Sequence, residues 1–97
     1  YDITQKVIMA LADAESRVIL FSIIRKGKTA SDLSGSLKIP LSSVYKKLSD
    51  LENLTLVRVE KTILSEKGRR FKIYRSRINK AEISIKKPEP TLSLSAN

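Results

Sequence analysis

Between Ser42 and Ser49 lies a concentration of hydrogen-bond donors: Ser42, Ser43, Tyr45, Lys46, Lys47 and Ser49 are all small, hydroxylic or cationic. Hydroxyl and ammonium groups suit phosphate oxygens and the acceptor edges of bases. Val44, Leu48 and Leu51 are interleaved with them at i, i+4 and i+7, the spacing of one apolar stripe on a helix. The pattern predicts a helix over 41–53 with its aliphatic side inward and its donors outward. The alternative for Lys46 and Lys47 is an ordinary solvated face, and for Tyr45 a half-buried packing role.

A second, shorter apolar pattern precedes it. Ala30, Leu33 and Leu37 recur at helical spacing, and Thr29 and Asp32 are both candidate caps. Lys38-Ile39-Pro40 must end that helix, since proline lacks an N–H and turns the preceding residue away from helical geometry. Two helices joined by a tight turn, the second polar and basic, form a helix-turn-helix over Thr29–Leu54. In such a pair the N-terminal half of the second helix lies deepest in a major groove. Ser42 and Ser43 would then meet phosphate or base edges, Leu41 a thymine methyl, Lys46 guanine or phosphate, and Lys47 and Tyr45 phosphate. Thr29 and Ser31, at the start of the first helix, would donate to phosphate beside free backbone N–H groups. The second helix has no Arg, Asn or Gln before Asn53, the side chains that read bases bidentately, so direct readout is expected to be modest.

Charge is distributed unevenly. The chain carries 19 basic and 10 acidic groups, net +9, and residues 55–87 alone account for a surplus of +8. A concentrated surplus points to a polyanionic partner. In the same segment the periodicity changes from 3.6 to 2. Val57, Val59 and Ile63 alternate with Arg58, Glu60 and Thr62; Ser65–Arg69 holds a glycine suited to a turn; Arg70–Arg75 alternates again with Phe71 and Ile73 inward. This predicts a β-hairpin over 57–75. Lys67, Arg69 and Arg70 would surround its tip, with Lys61 and Lys72 on the flanking strands, placed for a minor groove or its phosphates.

Upstream, 2–12 reads as a helix capped by Asp2 with Ile3, Val7 and Leu11 inward, and Asp13 as the cap of a helix from Ala14 to Lys26. The second of these is expected to be the most buried, because Val18, Ile19, Leu20, Phe21, Ile23 and Ile24 cover more than one face; Gly27 ends it, and Lys28-Thr29 forms a short extended link. Helix, helix, helix-turn-helix and basic hairpin make an α+β winged helix-turn-helix, the hairpin being the wing. Residues 1–80 would form that domain. Residues 81–97, with alternating Ala81–Lys86 and Thr91–Ser95 around Lys87-Pro88-Glu89-Pro90, would add C-terminal strands or a tail, a candidate dimer contact together with the first helix.

A family resemblance follows from these residues. Ala10-Leu11-Ala12-Asp13 through Arg17-Val18-Ile19-Leu20 is similar to the opening helix of ArsR-type regulators. Ile39-Pro40-Leu41-Ser42-Ser43-Val44-Tyr45-Lys46-Lys47-Leu48 resembles the recognition helices of ArsR-type and TrmB-type prokaryotic and archaeal transcription regulators. The likeness spans about residues 8–78 and implies a DNA-binding regulator that works on double-stranded DNA as a homodimer. Metal-sensing ArsR-type proteins use cysteine or histidine ligands, and this chain has neither, so metal sensing is not carried over.

Other functions are disfavoured. With no cysteine and no histidine, disulfides, Cys/His zinc sites and His-based catalysis are excluded, and no nucleophile has a His partner. No phosphate-cradling glycine loop is present, so neither catalytic residues nor a cofactor or metal is expected. The longest apolar run, Val18–Ile24, is far short of the roughly 20 residues that span a bilayer, so no membrane association is expected and a cytoplasmic location is. The start at Tyr1 instead of methionine is expected of a piece trimmed from a longer protein. The competing functional class is a winged-helix module that contacts protein or RNA within a larger machine. Its exposed helix face would be apolar, whereas here that face is Ser, Lys and Tyr.

Overall fold

A computed structural model describes residues 3–97. Four helices, α1 (Ile3–Ala12), α2 (Ala14–Ser22), α3 (Ala30–Leu37) and α4 (Leu41–Asn53), precede four strands, β1 (Val57–Leu64), β2 (Arg70–Ser76), β3 (Ile78–Ser84) and β4 (Thr91–Ala96). The protein is therefore α+β, helices first and antiparallel hairpins after. The strands pair as two separate two-stranded sheets, β1-β2 and β3-β4. The cap expected at Asp2 lies outside the described residues.

The helices stop and start where the sequence gives the backbone an alternative partner. Asp13 caps α2 by accepting from the Ser16 N–H at 3.0 Å. Thr29 caps α3, and Asp32 closes the reciprocal half of a capping box, so the two candidates act together. At the far end of α3, Lys38 adopts a left-handed conformation (φ 56°) and its N–H returns to the Ser34 carbonyl. Ser34 Oγ donates to the Ile39 carbonyl at 2.6 Å, tying the turn to the helix it leaves. Pro40 then opens α4, where proline's missing N–H has no consequence.

The core lies among α2, α3, α4 and the base of the strands. Ile19, Leu20 and Ile23 meet Leu33, Val44, Leu48 and Leu51, with Leu56, Val57, Tyr74 and Ile78 closing the far side. The buried positions Ser16, Ile19 and Leu20 of α2, continued by Ile23 just past its end, form one stripe, and Val18 (47% exposed) and Phe21 (40% exposed) point outward. The expectation of burial on more than one face is corrected accordingly.

Helix α2 also ends at Ser22, four residues before the expected Lys26, which takes Arg25 and Lys26 out of its last turn. Beyond Ser22 the chain follows β2 instead. Ile23 O accepts from the Ser76 N–H at 3.0 Å, and Ile24 O from Arg75 Nε at 3.1 Å and Asn97 Nδ2 at 2.8 Å. Lys28 and Tyr74 then exchange two backbone hydrogen bonds, 3.1 and 2.9 Å, forming the short bridge expected near Lys28-Thr29. Segment 23–28 thus lies along β2.

The β1-β2 register contains a shift between Val59 and Lys61, with Glu60 as the extra residue. Directly opposed residues in an antiparallel pair share a face. Val57 and Val59, opposite Ser76 and Tyr74, therefore face the core, while Ile63, opposite Phe71, lies with Lys61 and Ile73 on the other face. The expected grouping of Ile63 with Val57 and Val59 is overturned by that one residue. Downstream, Arg77 alone separates β2 from β3, which begins at Ile78.

Gly27 sits where β2 approaches closest. A Cβ there would lie 2.6 Å from Ile73 Cγ2 and 3.2 Å from the Tyr74 carbonyl oxygen. Gly27→Ala is expected to destabilise the protein by about 1–3 kcal/mol in urea unfolding, and Ile73→Ala in the same chain to recover part of that loss. An unchanged midpoint for Gly27→Ala would show that segment 23–28 yields freely.

Candidate nucleic-acid interface

Three elements contribute to one side of the molecule. The N-terminus of α3 has four N–H groups without helical acceptors. Thr29 donates to Asp32 Oδ2, Asp32 donates to Thr29 Oγ1, and the N–H groups of Ala30 and Ser31 are left to meet a ligand or water. Beside them Tyr45 rises from α4, half exposed. From β2 come Arg70 and Lys72, which share a face with Tyr74 by their i, i+2, i+4 spacing. Thr29, Ala30, Ser31, Tyr45, Arg70 and Lys72, with Phe71 and Tyr74, line a cleft of about 230 Å³. Donors from three separate parts of the chain thus converge on one concavity. Tyr74 holds its floor: burial, and secondarily Glu52 and Tyr45, raise its phenol above the ordinary value, so its hydroxyl stays protonated at neutral pH.

The N-terminus of α4 flanks this cleft. No side chain caps it, Pro40 supplying only backbone geometry, so the N–H groups of Leu41, Ser42 and Ser43 keep their capacity to donate. Leu41 and Ser42 are exposed and Ser43 is half-buried. Ser42, Tyr45 and Ser49 follow one ridge of the helix. Ser43, Lys46, Lys47 and Asp50 follow the other and line a groove with Asp13, Glu15 and Ser16 of the α2 N-terminus.

In that groove Lys47 has a partner already. Its Nζ donates to Asp13 Oδ2 at 2.7 Å and lies 3.6 Å from Glu15 Oε1. The short Asp13 hydrogen bond raises the Lys47 pKa, and the same bond, assisted by Ser16, lowers Asp13 from 3.8 to about 2. One carboxylate therefore caps α2, accepts from Ser16 Oγ at 2.7 Å and anchors α4. Asp13 is the residue the sequence reading missed in this role. Its spacing from Lys47 gives no local signal, because the pair is joined only by the packing of α4 on α2.

The hairpin distributes its cations over several surfaces. Lys67 and Arg69 sit with Glu66 and Phe71 around the tip, where the Arg69 carbonyl accepts from Ser65 N–H and Gly68 adopts φ 79°. Lys61 does not join Lys72: the bulge at Glu60 places Lys61 opposite Ile73, on the face away from Tyr74, whereas Lys72 opposes Thr62 on the cleft side. On the face with Lys61, Arg75 Nη1 donates to Glu60 Oε2 at 2.8 Å, which holds the Glu60 carboxyl below its usual range. Arg58, Arg75 and Arg77 line a second cationic groove with Ala96 and Asn97, its charge partly met by Glu60.

Of the thirteen residues singled out in the sequence, the structure gathers Thr29, Ser31, Tyr45, Arg70 and Lys72 in one cleft, with Leu41 and Ser42 on the neighbouring helix end. Lys67 and Arg69 extend from the hairpin tip, Ser43 and Lys46 lie on the α2 side, Lys47 is ion-paired and Lys61 faces elsewhere. Among the described residues no group of three or more His, Cys, Asp or Glu is placed to hold a metal ion, and no helix is long and apolar enough to cross a membrane. No protein-family model matches the chain, and a search of curated proteins finds no significant match.

Asp13 offers a pH test of this geometry. A carboxylate whose pKa falls on folding stabilises the native state above its unfolded pKa and loses that contribution as pH drops through the folded one. The stability tied to Asp13 is therefore complete above pH 3.8 and disappears towards about pH 2. Asp13→Asn retains a good cap but not the ion pair, and is expected to flatten the acid side of the stability profile. A profile as steep as that of the wild type would place the acid loss on other carboxylates.

Proposed function

We propose that this protein is a DNA-binding transcription regulator of winged helix-turn-helix architecture, with α3 and α4 as the helix pair and the β1-β2 hairpin as the wing. In this proposal α4 enters a major groove by its N-terminal half, and the cleft receives a backbone phosphate of the same duplex. The convergence of Ser31, Tyr45, Arg70 and Lys72 beside two free N–H groups supports it most directly. Backbone N–H groups at a helix start, a phenol and two cations together match a phosphate oxygen better than any apolar or carbonyl ligand.

Base readout falls to Leu41, Ser42, Ser43 and Lys46, and backbone contact to the cleft and to Lys67 and Arg69 at the tip. Lys47 acts at one remove by fixing α4 on α2. Affinity then depends more on phosphate contacts than on base edges, and sequence preference is modest. The protein acts as a homodimer, so that two copies of α4 reach successive major grooves about 34 Å apart, and it does so in the cytoplasm. The likeness of residues 8–78 to ArsR-type and TrmB-type regulators belongs to the same proposal.

Salt dependence is the decisive experiment. Five cations per chain (Lys46, Lys67, Arg69, Arg70 and Lys72) predict that log affinity for a mixed duplex pool falls with log salt at a slope of about −4 for each bound chain. Arg70→Ala with Lys72→Ala is expected to reduce the magnitude of that slope by about 2, whereas Lys47→Met and Lys61→Met leave it nearly unchanged. A flat salt response contradicts the proposal, and an equal effect of all four substitutions contradicts the assignment of the cleft. Lys46→Ala is expected to narrow the affinity difference between sequences; a uniform loss would make Lys46 a phosphate contact only.

A further inference from the structure

Of the four strands, β4 alone has no ionisable side chain. Arg58, Glu60 and Lys61 lie on β1, Arg70, Lys72 and Arg75 on β2, and Lys80 and Glu82 on β3, whereas Thr91–Ala96 reads TLSLSA. Among the described residues it pairs with β3 only, and one row of its backbone N–H and C=O groups has no strand of theirs beside it. Natural proteins blunt such edges with charge, proline or a bulge, because an open ladder recruits another strand. Here the register shift of the second hairpin is at Asn79 on β3, and Pro88 and Pro90 precede β4 without entering it.

The sheet also has an apolar face that is incompletely covered. The register places Ala81 opposite Leu94 and Ile83 opposite Leu92, all four on one side. Ala81 and Leu92 pack on the core, while Ile83 and Leu94 stay 43% and 40% exposed. Helix α1 packs against β4 and carries two further exposed apolar residues, Ile3 and Met9.

We propose that β4 is the self-association edge of this protein: a second copy adds its own β4, antiparallel, across a two-fold axis normal to the sheet. The product is a four-stranded sheet in the order β3-β4-β4-β3, an isologous contact. This interface rests on the dimer in the proposed function and specifies where it forms. Charge selects a second copy as the occupant. Two chains of net charge +9 repel each other, and they approach at least cost where the surface is neutral. An acidic partner would instead seek the first hairpin. Two-fold symmetry admits an axis at any residue of β4, and leucine pairing selects Ser93. With the axis at Ser93, Leu92 opposes Leu94 of the second copy and Thr91 opposes Ser95, so leucines meet leucines and the apolar face continues across the junction. One strand edge alone falls short of the roughly 1,200 Å² buried in a stable dimer, and Leu94, Ile83 and the exposed residues of α1 extend the contact.

Sedimentation equilibrium without DNA tests this. The chain is expected to sediment at twice its 10.9 kDa mass. Ser93→Lys, which sets two ammonium groups face to face across the axis, is expected to give the monomer, and Ser36→Lys, with the same added charge on α3, to remain dimeric. Because the chain has no cysteine, Ser93→Cys is expected to yield a disulfide-linked dimer on oxidation, while Lys67→Cys at the hairpin tip yields none. That cross-link distinguishes loss of the contact from unfolding of the hairpin in Ser93→Lys. A monomer at every concentration overturns both this interface and the dimer in the proposed function. A dimer that persists in Ser93→Lys, with no cross-link through Ser93→Cys, overturns this interface alone.

Discussion

The docking of β2 onto segment 23–28 determines what the candidate interface can be. Ile23 and Ile24 give their carbonyls to Ser76 and Arg75, and Lys28 exchanges two backbone hydrogen bonds with Tyr74. Each bond is worth about 1 kcal/mol net, but together they convert the end of α2 into a partner for the hairpin. The consequences run in both directions along the chain. Helix α2 stops at Ser22, and Thr29, one residue past the bridge, is delivered to the start of α3 beside β2. Arg70 and Lys72 are then carried past the α3 N-terminus, and the cleft exists because of that register. Gly27 makes the approach sterically feasible, since even a methyl group would collide with Ile73.

A second constraint acts on α4 from the opposite side. Val44, Leu48 and Leu51 bury its inner stripe completely, which fixes its position but leaves rotation about its axis to weaker contacts. Asp13 limits that rotation. Its carboxylate is oriented by Ser16 and the α2 cap, so the Lys47 ammonium has one place to bind. A lysine that the sequence would assign to phosphate becomes a strut, and the outward ridge of Ser42, Tyr45 and Ser49 is aimed by it.

Much of this architecture was legible in the sequence because it is encoded locally. The Val44/Leu48/Leu51 stripe, the Thr29 and Asp13 caps, the break at Lys38-Ile39-Pro40 and the turn at Gly68 each depend on a few neighbouring residues. The misreadings involve partners distant in the chain. The end of α2 is where the chain passes to backbone contacts with residues about fifty positions later. The face of Ile63 and Lys61 depends on a single extra residue, Glu60, and a strict alternation of period 2 gives no sign of a bulge. Lys47 looks like its neighbour Lys46 until the helices pack. The outward Val18 and Phe21 show the limit of composition: six apolar residues in seven positions do not say which three are buried. The cleft combines both cases, since its members could be named from residue type but their convergence could not.

In the proposed function the cleft and the α4 N-terminus together form one DNA-contacting surface. Amide chemical-shift mapping of the isotope-labelled protein, titrated with a short mixed-sequence duplex, tests this most directly. The largest shifts are expected on Ala30, Ser31, Ser42, Ser43, Tyr45, Lys46 and 67–72, with Lys61 and the Arg58/Arg77 groove changing little. Shifts confined to that second groove, or an absence of shifts in the presence of excess duplex, would contradict it.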